Sequence, residues 1–274
     1  KKKKKDLRKA AMKSPEQWSD LRARMLSASA MILIGLLGIW LGGVAFHLLV
    51  ALVCGLMVWE LVGMLRGPGQ AASWQLGLVT GAAVLASVYL PVGFGLPLLL
   101  APALLGFALL TANRTLYMSF TAMILLAGFG LIQLRDDMGF GWLIWLVLVV
   151  VVTDVVGYFA GRAIGGPKFW PKVSPKKTWS GTASGWVGAA VVGLIFSFNT
   201  GFGLQLVGIS VALSMASQMG DMAESGMKRK MGVKDSSALI PGHGGLLDRF
   251  DGMLGAAVFL LIVGPLIGFP PGLN

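Results

Sequence analysis

Apolar residues run along this chain in blocks, and the polar residues collect between them. A helix needs about 20 predominantly apolar residues to cross the hydrocarbon core of a bilayer. Nine blocks of roughly that length occur, at 25–41, 44–64, 74–90, 93–112, 115–134, 139–160, 182–199, 202–224 and 252–269. Only Gly42-Gly43 divides the first pair, and Pro91 the third from the fourth. The pattern predicts an all-α polytopic membrane protein of nine transmembrane helices. Two connections are long, 161–181 and 225–251. The chain then divides into a basic segment at 1–24, membrane helices over 25–134, and a membrane region over 135–274 that carries both long loops.

Composition agrees with this reading. Of 274 residues, 55% are hydrophobic and 13% charged, against about 25% charged in a soluble domain. The mean hydropathy is +0.76. A soluble fold of this length could not hide so much apolar surface. Disordered, collagen-like and disulfide-scaffold classes are excluded, and the single Cys54 has no partner in the chain for a disulfide. Arg22 and Arg24 ahead of the first apolar block read as the flank of a retained signal anchor. The five lysines at 1–5 receive no functional weight.

A net charge of +11 could suggest nucleic acid. Position decides otherwise. With the N-terminus inside, every Lys and Arg of the 23 except Arg135 falls on the cytoplasmic side of a nine-helix topology. That is the positive-inside rule, and it puts the C-terminus outside. The charge is then accounted for by topology, and nucleic acid is not expected as a partner.

The chemically capable residues gather in the two long loops and the helix ends that feed them. If the eighth helix continues to about 229, Asp221, Glu224, Ser225 and Lys228 recur at spacings of three and four. Asp248 and Asp251 share a face where the ninth helix begins. Four carboxylates on neighbouring helix ends suit a hard cation such as Mg²⁺, which takes oxygen ligands and leaves room for substrate phosphates. Lys228, Arg229, Lys234 and Arg249 supply phosphate partners. Pro241-Gly-His243-Gly244-Gly245 is a backbone with little side-chain bulk, open to an anion at its N–H groups. Singly, each acid could equally pair with a nearby lysine. Together, within some thirty residues, they point to a phosphate site.

In the first loop, Gly161 and Gly166 have P-loop spacing, but Pro167 stands where lysine is needed, so that motif is rejected. Gly157, Gly161 and Gly165 instead predict close helix packing. Ser174-Pro-Lys176-Lys177-Thr178-Trp179 offers two cations, two hydroxyls and a ring, fit for an interfacial anchor or one wall of a nucleotide pocket. Asp154 is an intramembrane acid, costly enough to be functional by default. His47 reads as a packed histidine, and Glu60 as a side chain that pairs or snorkels. No Ser/His/Asp or Cys/His constellation stands out.

The run Ser225-x-x-Lys228-Arg229-x-x-x-x-Lys234-Asp235, then Pro241-x-His243-Gly244-Gly245-x-x-Asp248-Arg249-x-Asp251, closely resembles the signature of the phosphatidate cytidylyltransferase (CDP-diacylglycerol synthase) family. Ser174 to Trp179 resembles that family's second hallmark, and Asp154 with Gly157-Tyr158-Phe159 the stretch before it. Ser180 departs from the pattern, where many members carry Glu. The resemblance covers about 154–252. It implies transfer of the cytidylyl group of CTP to phosphatidic acid, with Mg²⁺ in a two-cation site, at the cytoplasmic face of a bacterial inner membrane. The roles it suggests make Asp221 and Asp248 the principal metal ligands, Asp251 the third and Glu224 a supporting acid. Lys228, Arg229, Lys234 and Arg249 would hold phosphates, with Ser225 beside them. His243, Gly244 and Gly245 would shape the triphosphate pocket, and Lys176, Lys177 and Thr178 would close over nucleotide or headgroup. Membrane lipid is a further expected partner, and glycine-rich faces allow a homodimer.

Three rivals remain. A transporter or flippase should place polar residues near the bilayer midplane, whereas here they sit at cytoplasmic helix ends. A CDP-alcohol phosphotransferase also clusters Asp residues but lacks the Ser-x-x-Lys-Arg and His-Gly-Gly elements. A dolichol-kinase-like CTP enzyme is the third.

Overall fold

The computed structural model describes the backbone of residues 2–66 and 71–269, with side chains from Arg22 onward except at position 92. The side chains of the basic residues before Arg22, and the C-terminal end at 270–274, lie outside the described residues. Among the described residues nine α-helices follow one another: α1 (Lys2–Leu41), α2 (Gly43–Arg66), α3 (Ala71–Tyr89), α4 (Val92–Leu109), α5 (Arg114–Met138), α6 (Phe140–Ile164), α7 (Trp179–Thr200), α8 (Gln205–Lys230) and α9 (Leu247–Val263). They match the nine apolar blocks one for one.

Six of them, the α1 segment from Arg22 with α2, α3, α5, α6 and α7, are long and apolar enough to cross a membrane. The other three fall outside that set. α4 is apolar but shorter, over Gly93–Leu109, and contains Pro97 and Pro102. α8 ends in a charged turn at Lys228, Arg229 and Lys230, and α9 is only 17 residues long and opens with Asp248. Leu33, Leu78, Phe94 and Phe198 are all exposed, an outward apolar face that suits lipid better than water. The chain is an integral membrane protein by these criteria.

α6, α7, α8 and α9 pack as one group, α2, α3, α4 and α5 as another, and α5 joins them by lying against α9 and α2. α1 touches α2 and α6 from the outside. The core is a continuous apolar cluster that includes Val58, Leu61, Ile124, Leu125, Trp145 and Leu206. Polar stitches cross it. Trp145 Nε1 donates to Ser210 Oγ at 3.0 Å and Thr153 Oγ1 to Ser214 Oγ at 2.8 Å, joining α6 to α8.

The chain reverses between α1 and α2 at Gly42 and Gly43, where φ is +63° and +48°. At this end Arg135 Nε donates to Ile39 O at 2.7 Å, satisfying a carbonyl at the C-terminus of α1. His47 sits nearby, 2.7 Å from Asp136 Oδ2 and 2.9 Å from the Tyr89 hydroxyl. It is the packed, hydrogen-bonded histidine the sequence predicts. Glu60, by contrast, lies toward the opposite end of α2, where it is buried and accepts hydrogen bonds from Ser237, Leu246 and Leu247. The ends of α2 therefore face different chemistry.

The 161–181 connection is not the simple loop expected. It contains a hairpin of β1 (Lys168–Trp170) and β2 (Ser174–Thr178), antiparallel, with Lys168 opposite Thr178 and Trp170 opposite Ser174. α8 continues to Lys230, in keeping with the three- and four-residue spacing of its polar positions, and α9 begins at Leu247, so the irregular part of the 225–251 connection is 231–246.

Candidate active site

The hairpin is held against the ends of the helices that flank it. Thr178 caps α7, its Oγ1 accepting the Gly181 N–H at 3.2 Å. Trp179 N–H donates to Pro167 O at 3.0 Å, and the Ser180 hydroxyl donates to Gly165 O. Beneath it α6 and α7 nearly touch. A Cβ on Gly181 would lie 2.5 Å from Gly157 O, so only glycine fits this crossing. Gly157 and Gly161 of the predicted glycine surface are used here, between α6 and α7, while Gly165 ends α6 at φ +68° in open space.

Between hairpin, α6, α7 and α8 lies a cavity of about 700 Å³. Its wall carries Arg162, Lys168, Lys176 and Lys177 as cations and Asp154 and Asp221 as acids. Lys177 on β2 donates to Asp221 on α8, and Ser225 Oγ donates to the other Asp221 oxygen at 3.2 Å. Asp251 of α9 is within electrostatic reach of both Asp221 and Asp154. Close backbone contact of α8 with α9 makes this possible. A Cβ on Gly220 would meet Asp251 O at 2.4 Å and Gly255 Cα at 3.0 Å. Arg249 is exposed, yet its charge reaches Asp154.

Asp248 and Glu224 belong to a second, buried network. Lys228 Nζ lies 2.5 Å from Glu224 Oε2 and 2.6 Å from Asp248 Oδ1. The other Asp248 oxygen accepts Ser236 N–H at 2.8 Å, Ser236 Oγ–H at 2.9 Å and Gly245 N–H at 2.8 Å. Burial alone would push the Asp248 carboxyl up. The Lys228, Gly245 and Ser236 hydrogen bonds outweigh it and hold the group below its ordinary value of 3.8. Burial likewise disfavours the Lys228 ammonium, but Asp248 and Glu224 together raise it above 10.5. The two shifts agree on a charged pair.

The loop before α9 is a tight turn. Ile240 O accepts His243 N–H at 2.9 Å with Pro241 and Gly242 between them, and Gly242 has φ +75°. Proline then glycine at positive φ is the pattern of a type II turn. His243 Nδ1 stands 2.9 Å from Ser27 Oγ of α1, and Arg249 Nε donates to His243 O at 3.1 Å. The turn spends its own donors: His243 N–H on Ile240 and Gly245 N–H on Asp248. The anion cradled here is the protein's own carboxylate, where sequence alone suggested a phosphate.

The sequence-predicted residues therefore divide. Asp221, Lys176, Lys177 and Thr178 line the cavity, with Ser225 bonded to Asp221 and Asp251 close by. Glu224, Lys228 and Asp248 form the buried triad. Arg229 Nε donates to Val173 O at 3.4 Å, tying α8 to the hairpin tip, and Lys234 is exposed. Gly244 and Gly245 shape the turn. Among the described residues no three His, Cys, Asp or Glu side chains converge as a metal group. The four-carboxylate cluster expected from spacing is thus parted by Lys228. The cavity wall still offers carboxylate oxygens at Asp154 and Asp221, and a hard cation such as Mg²⁺ asks for only one or two carboxylates beside substrate phosphates. Asp248 could join that set only where Lys228 is displaced.

Sequence reasoning missed Arg162, Lys168 and Gln218 on the cavity wall and Glu60 beside the turn. Only Glu60 had left a signal, an acid closing an otherwise apolar helix.

Membrane-length helices around a cation-lined cavity define a membrane protein fitted to a phosphorylated substrate. The profile of the cytidylyltransferase family matches residues 22–266. The chain is 35% identical over 270 residues to the phosphatidate cytidylyltransferase of Brucella abortus (strain 2308), covering 93% of this chain and 97% of that protein. It is 35% identical over 266 residues to that of Brucella suis biovar 1 (strain 1330), covering 92% and 96%. A stretch of 160 residues is 40% identical to the phosphatidate cytidylyltransferase of Staphylococcus saprophyticus, covering 55% of this chain and 61% of that one. The chain belongs to the cytidylyltransferase family.

Proposed function

We propose that this chain is a phosphatidate cytidylyltransferase, converting CTP and phosphatidic acid to CDP-diacylglycerol and pyrophosphate. The observation that carries this is the cavity itself. Arg162, Lys168, Lys176 and Lys177 surround a space of about 700 Å³ at the ends of α6 and α7, where a lipid phosphate and a nucleotide could meet.

The chemistry asks little of a base. A lipid phosphate is already ionised near neutral pH, which agrees with the missing triad. One of its oxygens attacks the α-phosphorus of CTP, a P–O bond forms, and the bond to the β-phosphate oxygen breaks to release pyrophosphate. What the site must supply is alignment of two anions that repel each other, and neutralisation of charge on the α-phosphate and leaving group. Lys168, Lys176 and Arg162 are placed to hold phosphates, and Lys177 can pass from Asp221 to an incoming phosphate. Mg²⁺, held by Asp221 and Asp251, would supply further neutralisation of the phosphate oxygens. Thr178 and Ser180 keep the hairpin seated while this occurs.

The reading includes nine membrane passes with the cavity on the cytoplasmic side of a bacterial inner membrane, supported by the distribution of Lys and Arg. Self-association through glycine faces belongs to the same reading. The direct test is purified protein with labelled CTP and phosphatidic acid, scoring labelled lipid and pyrophosphate with and without Mg²⁺. Equal amounts of both products, requiring the cation, support the assignment. Lipid movement without product, or labelled lipid without pyrophosphate, would replace it with a transporter or another CDP-lipid enzyme.

A further inference from the structure

Glu60 is 2% exposed, near the end of α2, far in sequence from the motifs. Its Oε1 accepts Leu246 N–H at 2.9 Å and Ser237 Oγ–H at 2.6 Å, and its Oε2 accepts Leu247 N–H at 2.8 Å. Ser236 Oγ stands 3.3 Å from Oε2 and 2.9 Å from Asp248 Oδ2, between the two carboxylates. Burying a carboxylate is costly unless it is neutralised or fully hydrogen-bonded. Here the compensation comes from the unsatisfied N–H groups at the start of α9, favoured by its dipole, and from two hydroxyls.

A helix start is ordinarily capped by a Ser, Thr, Asp or Asn just before it. This one has Gly245-Leu246 instead. A Cβ on Gly245 would lie 2.6 Å from Glu60 Oε1 and 2.1 Å from Ser236 Oγ. The space a local cap would fill is taken by the carboxylate delivered from α2. The arrangement thereby fixes the first turn of α9, which carries Asp248, and bears on Ser236, whose N–H donates to Asp248 and whose single hydroxyl proton lies between the two carboxylates.

We propose that Glu60 is a positioning residue for the cytidylyl transfer: by anchoring Ser236 and the first turn of α9 from another helix, it sets the orientation in which Asp248 holds Lys228. The inference rests on the cytidylyltransferase reading and on a role for Asp248 in turnover. Glu60 touches no substrate; it acts through Asp248.

The test uses the full chain in detergent with CTP and phosphatidic acid, and separates kcat from KM. Glu60→Gln keeps the shape but turns an N–H pair toward groups that are themselves donors. It should lower kcat by about 10-fold or more while both KM values stay within about twofold. In an Asp248→Asn background the same change should cost less than about twofold of the residual rate, because its route to the reaction is already cut. Ser236→Ala, a smaller change at the shared hydroxyl, keeps the test alive if Glu60→Gln does not fold. It should lower kcat by about threefold or more with both KM values within about twofold. Wild-type kcat in the folded single variants would overturn the proposal, as would equal losses from Glu60→Gln in both backgrounds. Wild-type turnover in Asp248→Asn alone would instead remove Asp248 from the reaction, a distinct failure.

Discussion

Lys228 and Asp248 are 20 positions apart in sequence and 2.6 Å apart in space, joining the last turn of α8 to the first turn of α9. Glu224 completes the contact from one turn earlier on α8. Removing one partner from a buried ion pair leaves an uncompensated charge, at a typical cost of about 3–5 kcal/mol. Lys228→Met should therefore lower the thermal midpoint in detergent strongly and abolish turnover. A midpoint equal to that of the wild type would show that the contact is not maintained in solution.

The same pair sets a pH window for stability. Asp248 is depressed, so its contribution is present above its ordinary value of 3.8 and lost as pH falls through the lower value it has when folded. Lys228 is raised, so its contribution is present below 10.5 and lost as pH rises through its higher folded value. Thermal midpoints measured across pH should fall along both of these limbs. Lys228→Met should flatten the alkaline limb, and an unchanged limb would assign it to another group.

At the cavity, Asp221 faces Lys177 across the gap between β2 and α8. Asp221→Asn should lower kcat by about 100-fold or more, the order found for removal of one preorganised electrostatic group, while the protein still inserts. Wild-type activity in the purified variant would remove Asp221 from both the metal and the phosphate assignments.

Lys176 lines the same cavity but is exposed on β2 and free to follow a phosphate. Lys176→Ala removes one charge-assisted contact, about 1.5–3 kcal/mol, and should raise a substrate KM about tenfold or more with kcat little changed. An unaltered KM for both CTP and phosphatidic acid would place Lys176 outside the site.

Gly181→Ala tests the helix crossing. The added methyl meets Gly157 O, a backbone atom that cannot swing away, so destabilisation of about 1–3 kcal/mol is expected, together with lost activity as hairpin and cavity shift. A thermal melt and an assay on one preparation check both.

Much of this was legible in one dimension. Apolar blocks located the nine helices of the described residues, and six of these have the length and composition that a bilayer demands. The spacing of Asp221, Glu224, Ser225 and Lys228 announced two i,i+4 pairs, and both form. What spacing could not announce is which acid meets which lysine across helices. Lys177 reaches Asp221 from a hairpin whose strands are three and five residues long, with Pro171 in the turn between them and Pro175 inside the second, too short to show a period of two. Glu60 was visible only as an acid at the end of an apolar helix, since its partners lie some 176 to 187 positions away. Nor could spacing announce that Gly245 gives its N–H to Asp248 while the next two N–H groups, of Leu246 and Leu247, go to a carboxylate from α2.

The backbone crossing at Gly220 and Gly255 has a mechanical consequence. Two helices that meet without an intervening layer of side chains cannot slide past each other gradually, so α8 and α9 travel as one strut. Asp221 and Asp251 ride on that strut at a fixed separation. Any widening of the cavity for a bulky lipid headgroup then falls to the opposite wall, where a short hairpin is held by a cap, by hydrogen bonds to backbone carbonyls and by the Lys177–Asp221 ion pair.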